Sequence, residues 1–167
     1  MKLAKRLVSI VDGAFCGCES LEGIIFPLAS ATSIGACAFM DCKALKSIEI
    51  PSGVTSIGDG AFYKCTSLKH VVLHEGIVTI GMHAFSNTSI ENIVLPSTLQ
   101  AICDYSFLGC TSLESINIPP SVAAIGSEAF SGCNSLKNVM FQPPYELRTI
   151  ESCAFNNCDA LKEIKLP

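Results

Sequence analysis

Val54-Thr-Ser-Ile-Gly-Asp-Gly-Ala-Phe-Tyr-Lys-Cys-Thr-Ser-Leu-Lys-His-Val-Val-Leu73 is the stretch whose reading decides the fold. Variations of it run through the whole 167-residue chain. Its phenylalanine marks each return, at Phe15, Phe39, Phe62, Phe85, Phe107, Phe130 and Phe155. The intervals are 24, 23, 23, 22, 23 and 25 residues. A sustained period in this range is the signature of a solenoid, in which one repeat cannot bury its own apolar side and must stack on the next.

Counting outward from the phenylalanine, the same residue types return. Five places earlier stand Ile10, Ile34, Ile57, Ile80, Ile102, Ile125 and Ile150, followed by glycine in Gly35, Gly58, Gly81 and Gly126. Immediately before the phenylalanine comes a small residue, alanine in every repeat except at Ser106. Six places after it come Leu21, Leu45, Leu68, Leu113, Leu136 and Leu161, with Ile90 one place early because the fourth repeat is shorter. Then follow Ile24, Ile48, Val71, Ile93, Ile116, Val139 and Ile164. Two places further stand Phe26, Ile50, Leu73, Leu95, Ile118, Phe141 and Leu166. Proline closes five repeats, at Pro27, Pro51, Pro96, Pro119 and Pro167.

Leu-x-x-Ile-x-Leu ends in alternating inward positions, which suits a short strand, and proline stops it because it lacks an N–H for the ladder. Val-x-x-Ile-Gly reads as a second extended piece whose glycine permits the sharp turn that follows. The Ala-Phe-x-x-Cys segment reads as a turn or a single helical turn. The expectation is an α/β solenoid of about seven 23-residue repeats, mostly short parallel strands. Equivalent residues should stack in ladders at about 4.8 Å per rung.

The recurring Leu-x-x-Ile-x-Leu-Pro and Val-x-x-Ile-Gly-x-x-Ala-Phe-x-x-Cys segments resemble the BspA-like (Treponema pallidum type) class of the leucine-rich repeat family, from Leu7 to Pro167. Local departures are Cys103 and Glu151 for the glycine, Ser106 for the alanine and Thr88 for the cysteine. In addition, Gln142-Pro-Pro-Tyr-Glu-Leu147 lengthens one connection by two residues and should form a small bulge with Tyr145 exposed or lying on a neighbour. The resemblance implies a right-handed superhelix with a strand-lined concave face. It also implies a surface or secreted adhesion protein that binds a host or extracellular matrix protein.

Composition narrows the function classes. The chain is 49% hydrophobic, 16% charged and carries a net charge of −4, which argues against nucleic acid, since that would need a basic stripe. No apolar run is long enough to cross a membrane. Met1-Lys-Leu-Ala-Lys-Arg is basic but lacks the apolar core and cleavage site of a secretion signal, and reads as the front of the first repeat. The compartment stays open, because family resemblance points outside the cell while the thiols fit a reducing setting equally well. Residues 1–167 form a single solenoid, expected to be a segment of a longer array or to associate end to end with another chain, because neither end shows the polar cap that solenoids need.

Cys18, Cys42, Cys65, Cys110, Cys133 and Cys158 each follow the phenylalanine by three residues and read as one internal column of small apolar thiols. Cys16-Gly-Cys18 lacks the second pair of a zinc site. His70 and His74 share a face, yet no repeated carboxylate stands beside them, and solvated histidines are expected. Nucleophile-elbow, P-loop and dinucleotide fingerprints are absent. Asp59, Asp104 and Glu128 read as exposed turn residues without partners. The expectation is no enzyme, no cofactor and no metal.

Function is instead expected on the outward positions of the Leu-x-x-Ile-x-Leu strands. One column reads Gly23, Ser47, His70, Asn92, Ser115, Asn138, Glu163, and the other Ile25, Glu49, Val72, Val94, Asn117, Met140, Lys165. These vary while the core columns hardly do. The central His70, Val72, Asn92, Val94 and Asn117 form a nearly uncharged, partly apolar patch with charged flanks, which suits recognition of a protein. Valine also favours strands for its shape alone, so the alternative is a structural spacer within a longer surface protein, with no ligand of its own. Glu22, Lys46, Lys69, Glu91, Glu114, Lys137 and Lys162 read as a solvated edge.

Overall fold

A computed structural model describes residues 7–26 and 33–167; Met1–Arg6 and Pro27, read above from sequence, lie outside them. The strands are β1 (Ser9–Ile10), β2 (Ser33–Ile34), β3 (Ser47–Glu49), β4 (Ser56–Ile57), β5 (His70–Val72), β6 (Thr79–Ile80), β7 (Ala101–Ile102), β8 (Ser115–Ile118), β9 (Ala124–Ile125), β10 (Asn138–Phe141) and β11 (Thr149–Ile150). All pair in parallel, one turn of the coil on the next.

The continuous sheet comes from the Val-x-x-Ile segment. Its seven strands run in the order β1-β2-β4-β6-β7-β9-β11, and each repeat isoleucine faces the next, as Ile57 faces Ile80 and Ile80 faces Ile102. Among the described residues the Leu-x-x-Ile-x-Leu segments form ladders as β3 with β5 and β8 with β10, and an isolated His70–Asn92 bridge reaches the fourth repeat. The break falls where that repeat is one residue short.

Between the two kinds of strand lies the core. Phe39, Phe62, Phe85, Phe107 and Phe130 are fully buried. All seven repeat phenylalanines stack, with ring centroids 5.1–5.4 Å apart along the column. At that spacing the rings lie within the range of favourable aromatic pairing. Phe15 and Phe155, at its two ends, are half-buried.

The Ala-Phe segment takes turns and not helical turns, and no helix occurs among the described residues. The cause is backbone handedness. In each repeat the residues two before and two after the phenylalanine have positive φ, as at Gly60 (61°) and Lys64 (59°) around Phe62, or Tyr105 (59°) and Gly109 (69°) around Phe107. A left-handed residue every fourth place breaks any right-handed helix. It instead turns the phenylalanine amide onto the next coil, where Phe62 N–H donates to the Ala84 carbonyl at 2.8 Å. Glu128 holds this conformation at φ 51° without being glycine. Glu128→Gly is therefore expected to stabilise the protein by about 0.5–1 kcal/mol, as relief of left-handed strain outweighs the lost chain entropy. A lower midpoint in thermal melting would contradict this.

The conserved-type glycine after the isoleucine does not serve the turn. Gly35, Gly58, Gly81 and Gly126 are absent from the positive-φ set, which corrects the expectation above. They are glycine because the preceding coil passes too close. Asp12, Asp59 and Asp104 each accept the backbone N–H of the next coil, from Ala36, Met82 and Ser127 at 2.8 Å. A Cβ at Gly35, Gly81 or Gly126 would collide with that same carboxylate oxygen. The two departures fit the rule: Cys103 and Glu151 occupy the glycine slot above Met82 and Ser127, which are not aspartates. Gly58 follows Ala36 and has no carboxylate against it, but its Cβ position lies 2.5 Å from the Gly35 carbonyl carbon, a backbone approach that the other three glycines also meet.

Candidate functional site

The strand-lined face is built by the alternation of the Leu-x-x-Ile-x-Leu segment. Within β5, Val71 points into the core while His70 and Val72 point out. Ile93 and Leu95 are buried on either side of Val94, and Ile116 and Ile118 on either side of Asn117. The five sequence-derived residues His70, Val72, Asn92, Val94 and Asn117 are accordingly all exposed on adjacent coils. Val72 is 49% and Val94 81% exposed. Val94 stands on the segment held to β5 by the isolated His70–Asn92 bridge, between the β3–β5 and β8–β10 pairs. Ile25 and Met140 continue the exposed column outward.

The rim is charged and paired. His74 Nε2 lies 3.2 Å from Glu49 Oε1, so a carboxylate does stand beside this histidine, contrary to the sequence reading. The edge column is a set of ion pairs: Glu22–Lys46 at 2.8 Å, Lys69–Glu91 at 2.9 Å and Glu114–Lys137 at 3.2 Å. The lysine beside each holds the Glu22 and Glu91 carboxyls below their ordinary range. All are solvent-exposed, so they key the register of neighbouring coils more than they stabilise the fold. Asp59 and Asp104, read as unpaired, are the inter-coil acceptors described above. Tyr145 of the inserted connection is exposed.

Among the described residues no group of three or more His, Cys, Asp or Glu side chains converges as a metal site. The cysteine column is structural in a way that spacing did not reveal. Five of the six thiols donate to the carbonyl of the previous coil's phenylalanine: Cys42 to Phe15, Cys65 to Phe39, Cys110 to Phe85, Cys133 to Phe107 and Cys158 to Phe130, at 3.1–3.3 Å; Cys18, on the first coil, is exposed, which corrects its expected place in the internal column. Thr88 replaces the thiol in the fourth repeat and donates to its own Phe85 carbonyl instead, at 2.9 Å. Burial pushes the Cys42 and Cys110 thiols up to about 11 and Cys65 to about 12, from an ordinary value of 9.0. A thiol with a raised folded value stabilises the fold below its unfolded value, and that contribution drains away as pH climbs through the folded one. Urea midpoints should thus hold steady up to pH about 9 and fall between about 9 and 12. A midpoint that is flat over that window would show that the thiols are not buried.

One cluster was missed by the sequence reading. On the turn side, Met40, Tyr63, Met82 and His83 surround a groove of about 420 Å³ beside Gly60. The His83 ring stacks on Tyr105 at 4.7 Å and meets Tyr63 edge-on at 5.8 Å. The signal was Gly60, which with Gly13 is bare in a column where Cys37, His83, Tyr105, Glu128 and Cys153 carry side chains.

Comparison with known proteins supports the architecture. The family described as BspA type leucine rich repeat region matches residues 1–111 and 78–167, in six copies. No curated protein matches. Among solved structures, the leucine rich repeat protein of T. pallidum is 30% identical with a TM-score of 0.80, over 89% of this chain and 77% of that one. A leucine rich cell surface protein of Faecalibacterium prausnitzii is 24% identical with a TM-score of 0.62, over 96% of this chain and 57% of that one, and shares the fold. The pneumococcal vaccine antigen PcpA is 27% identical with a TM-score of 0.58, over 70% of this chain and only 29% of that one.

Proposed function

This chain belongs to the BspA-type leucine-rich repeat family, a repeat scaffold of the protein-interaction kind, and from that premise we propose that it binds a partner protein through the outward residues of its Leu-x-x-Ile-x-Leu strands. The observation that carries this is the contrast between columns. The inward positions keep aliphatic or aromatic residues from coil to coil and are buried or half-buried up to the last coil, where Leu166 is exposed, whereas the outward ones change and culminate in an exposed Val72–Val94 centre ringed by His70, Asn92 and Asn117. An apolar centre inside a polar rim is the anatomy of a protein-recognition patch.

The module acts by presenting this surface and performs no chemistry. We place it at the cell surface or outside the cell, with a host or matrix protein as its partner; family membership and a relative described as a vaccine antigen support that placement. Self-association end to end is a further use of the stacked coils.

The test is a double substitution, Val72→Asp with Val94→Asp, assayed against a panel of matrix proteins on a biosensor. Each charge would sit in the centre of the proposed contact while pointing away from the core. Binding should fall by more than tenfold, since burying an unpaired carboxylate costs several kcal/mol, with circular dichroism unchanged. Binding that survives the double substitution would move the contact off the strand-lined face, and a wild type that binds nothing on the panel would leave the spacer reading in its place.

A further inference from the structure

We infer that the groove at Gly60 is a second contact site, independent of the strand-lined face, built to take an arginine side chain of a partner protein. Its shape follows from a missing side chain. At the position two before each phenylalanine, His83 and Tyr105 form a parallel stack, their planes 6° apart. On the coil before them Gly60 leaves that rung bare, and the Sγ of Cys37 lies 3.3 Å from where its Cβ would be. The result is a slot of about 420 Å³ with two methionines, Met40 and Met82, and the Tyr63 and His83 rings in its walls. Met82 is 42% exposed.

The chemistry of the occupant follows from the one charged wall. Asp59 lines the groove. Its Oδ1 is committed to the Met82 N–H at 2.8 Å, and its Oδ2 accepts nothing among the described residues. A carboxylate on an otherwise apolar and aromatic wall complements a cation that is itself flat and weakly hydrated. Guanidinium meets that description: it stacks on rings, packs its methylene stem on thioether carbons and donates in a fork to carboxylate. The Tyr63 ring already takes a cation from this chain, with Lys64 Nζ 5.0 Å from its centroid. A compact ammonium remains strongly hydrated and would lose more on entering the slot.

The chain supplies its own reporters. Met40 and Met82 line the groove, while Met140 lies on the strand-lined face. With carbon-13 methyl methionine, titration with acetyl-Gly-Arg-Gly-amide should move the Met40 and Met82 signals saturably and leave Met140 still. The citrulline counterpart, equal in shape but uncharged, should move them little. Asp59→Asn keeps the oxygen that accepts the Met82 N–H and removes the charge. It should weaken the arginine peptide by about tenfold or more, the worth of a charge-assisted hydrogen bond, with the methionine spectrum otherwise intact. Equal shifts from arginine and citrulline, undiminished binding by Asp59→Asn, or no shift at peptide saturation would each overturn the proposal. None of these outcomes depends on the Val72 and Val94 result.

Discussion

Replacing Phe85 with alanine is expected to cost about 3–5 kcal/mol, the range for a buried aromatic whose cavity cannot collapse. Collapse is prevented by the backbone. The Phe85 ring is held between Phe62 at 5.3 Å and Phe107 at 5.4 Å. The coils that carry those rings are fixed by hydrogen bonds at 2.8 Å, from the Phe62 N–H to the Ala84 carbonyl and from the Phe85 N–H to the Ser106 carbonyl. Neighbouring rings therefore cannot slide together to fill the gap. Position compounds the loss, because a solenoid is held by nearest-neighbour interfaces, and Phe85 sits on the middle coil of seven. Phe155→Ala, on a half-buried ring with one stacking partner among the described residues, should cost clearly less. Urea unfolding of the two variants beside wild type tests both statements, and a loss below about 1.5 kcal/mol at Phe85 would mean that the neighbouring coils close over the gap.

The second large effect couples two residues on successive coils. Gly126→Ala is expected to cost about 2–3 kcal/mol, at the upper end for forced overpacking. The new methyl would meet the Asp104 carboxylate and lie 2.5 Å from the Asp104 amide nitrogen. Part of that penalty belongs to the aspartate, which curls in to accept the Ser127 N–H. In an Asp104→Ser background, which copies the Ser127–Glu151 arrangement found one coil later, the same glycine substitution should cost at least about 1 kcal/mol less, a coupling of the size seen between residues in contact. Strict additivity would show that backbone proximity alone demands the glycine.

These two variants mark what was legible in the sequence. The phenylalanine column could be read because a core position admits one residue type and so returns at every period. The stack, the buried thiols and the outward direction of Val72 and Val94 follow from that repetition together with the alternation of strands. The glycine was misread because glycine has two uses, and only the path of the neighbouring coil distinguishes a turn from a close approach. The Asp–Gly rule joins residues 22 or 23 apart that look unrelated in one repeat, and it explains Cys103 and Glu151, which the repeat pattern alone could present only as departures. The thiol–carbonyl bonds were hidden for the same reason: a cysteine column reads as apolar filler until the phenylalanine carbonyl of the coil below is in place. The Gly60 groove escaped because it is made by an absent side chain.

Residue-resolved amide hydrogen exchange tests the coil most directly. The amides of Phe39, Phe62, Phe85, Phe107 and Phe130 each donate to the next coil at 2.8 Å, inside the dry core, and should be among the slowest to exchange, returning every 22 or 23 residues. The Val94 amide, outside every ladder and on the exposed face, should exchange quickly. Fast exchange at Phe62 and Phe85, or protection running continuously through Ala84–Thr88 as in a helix, would contradict the stacked coil on which the binding surface depends.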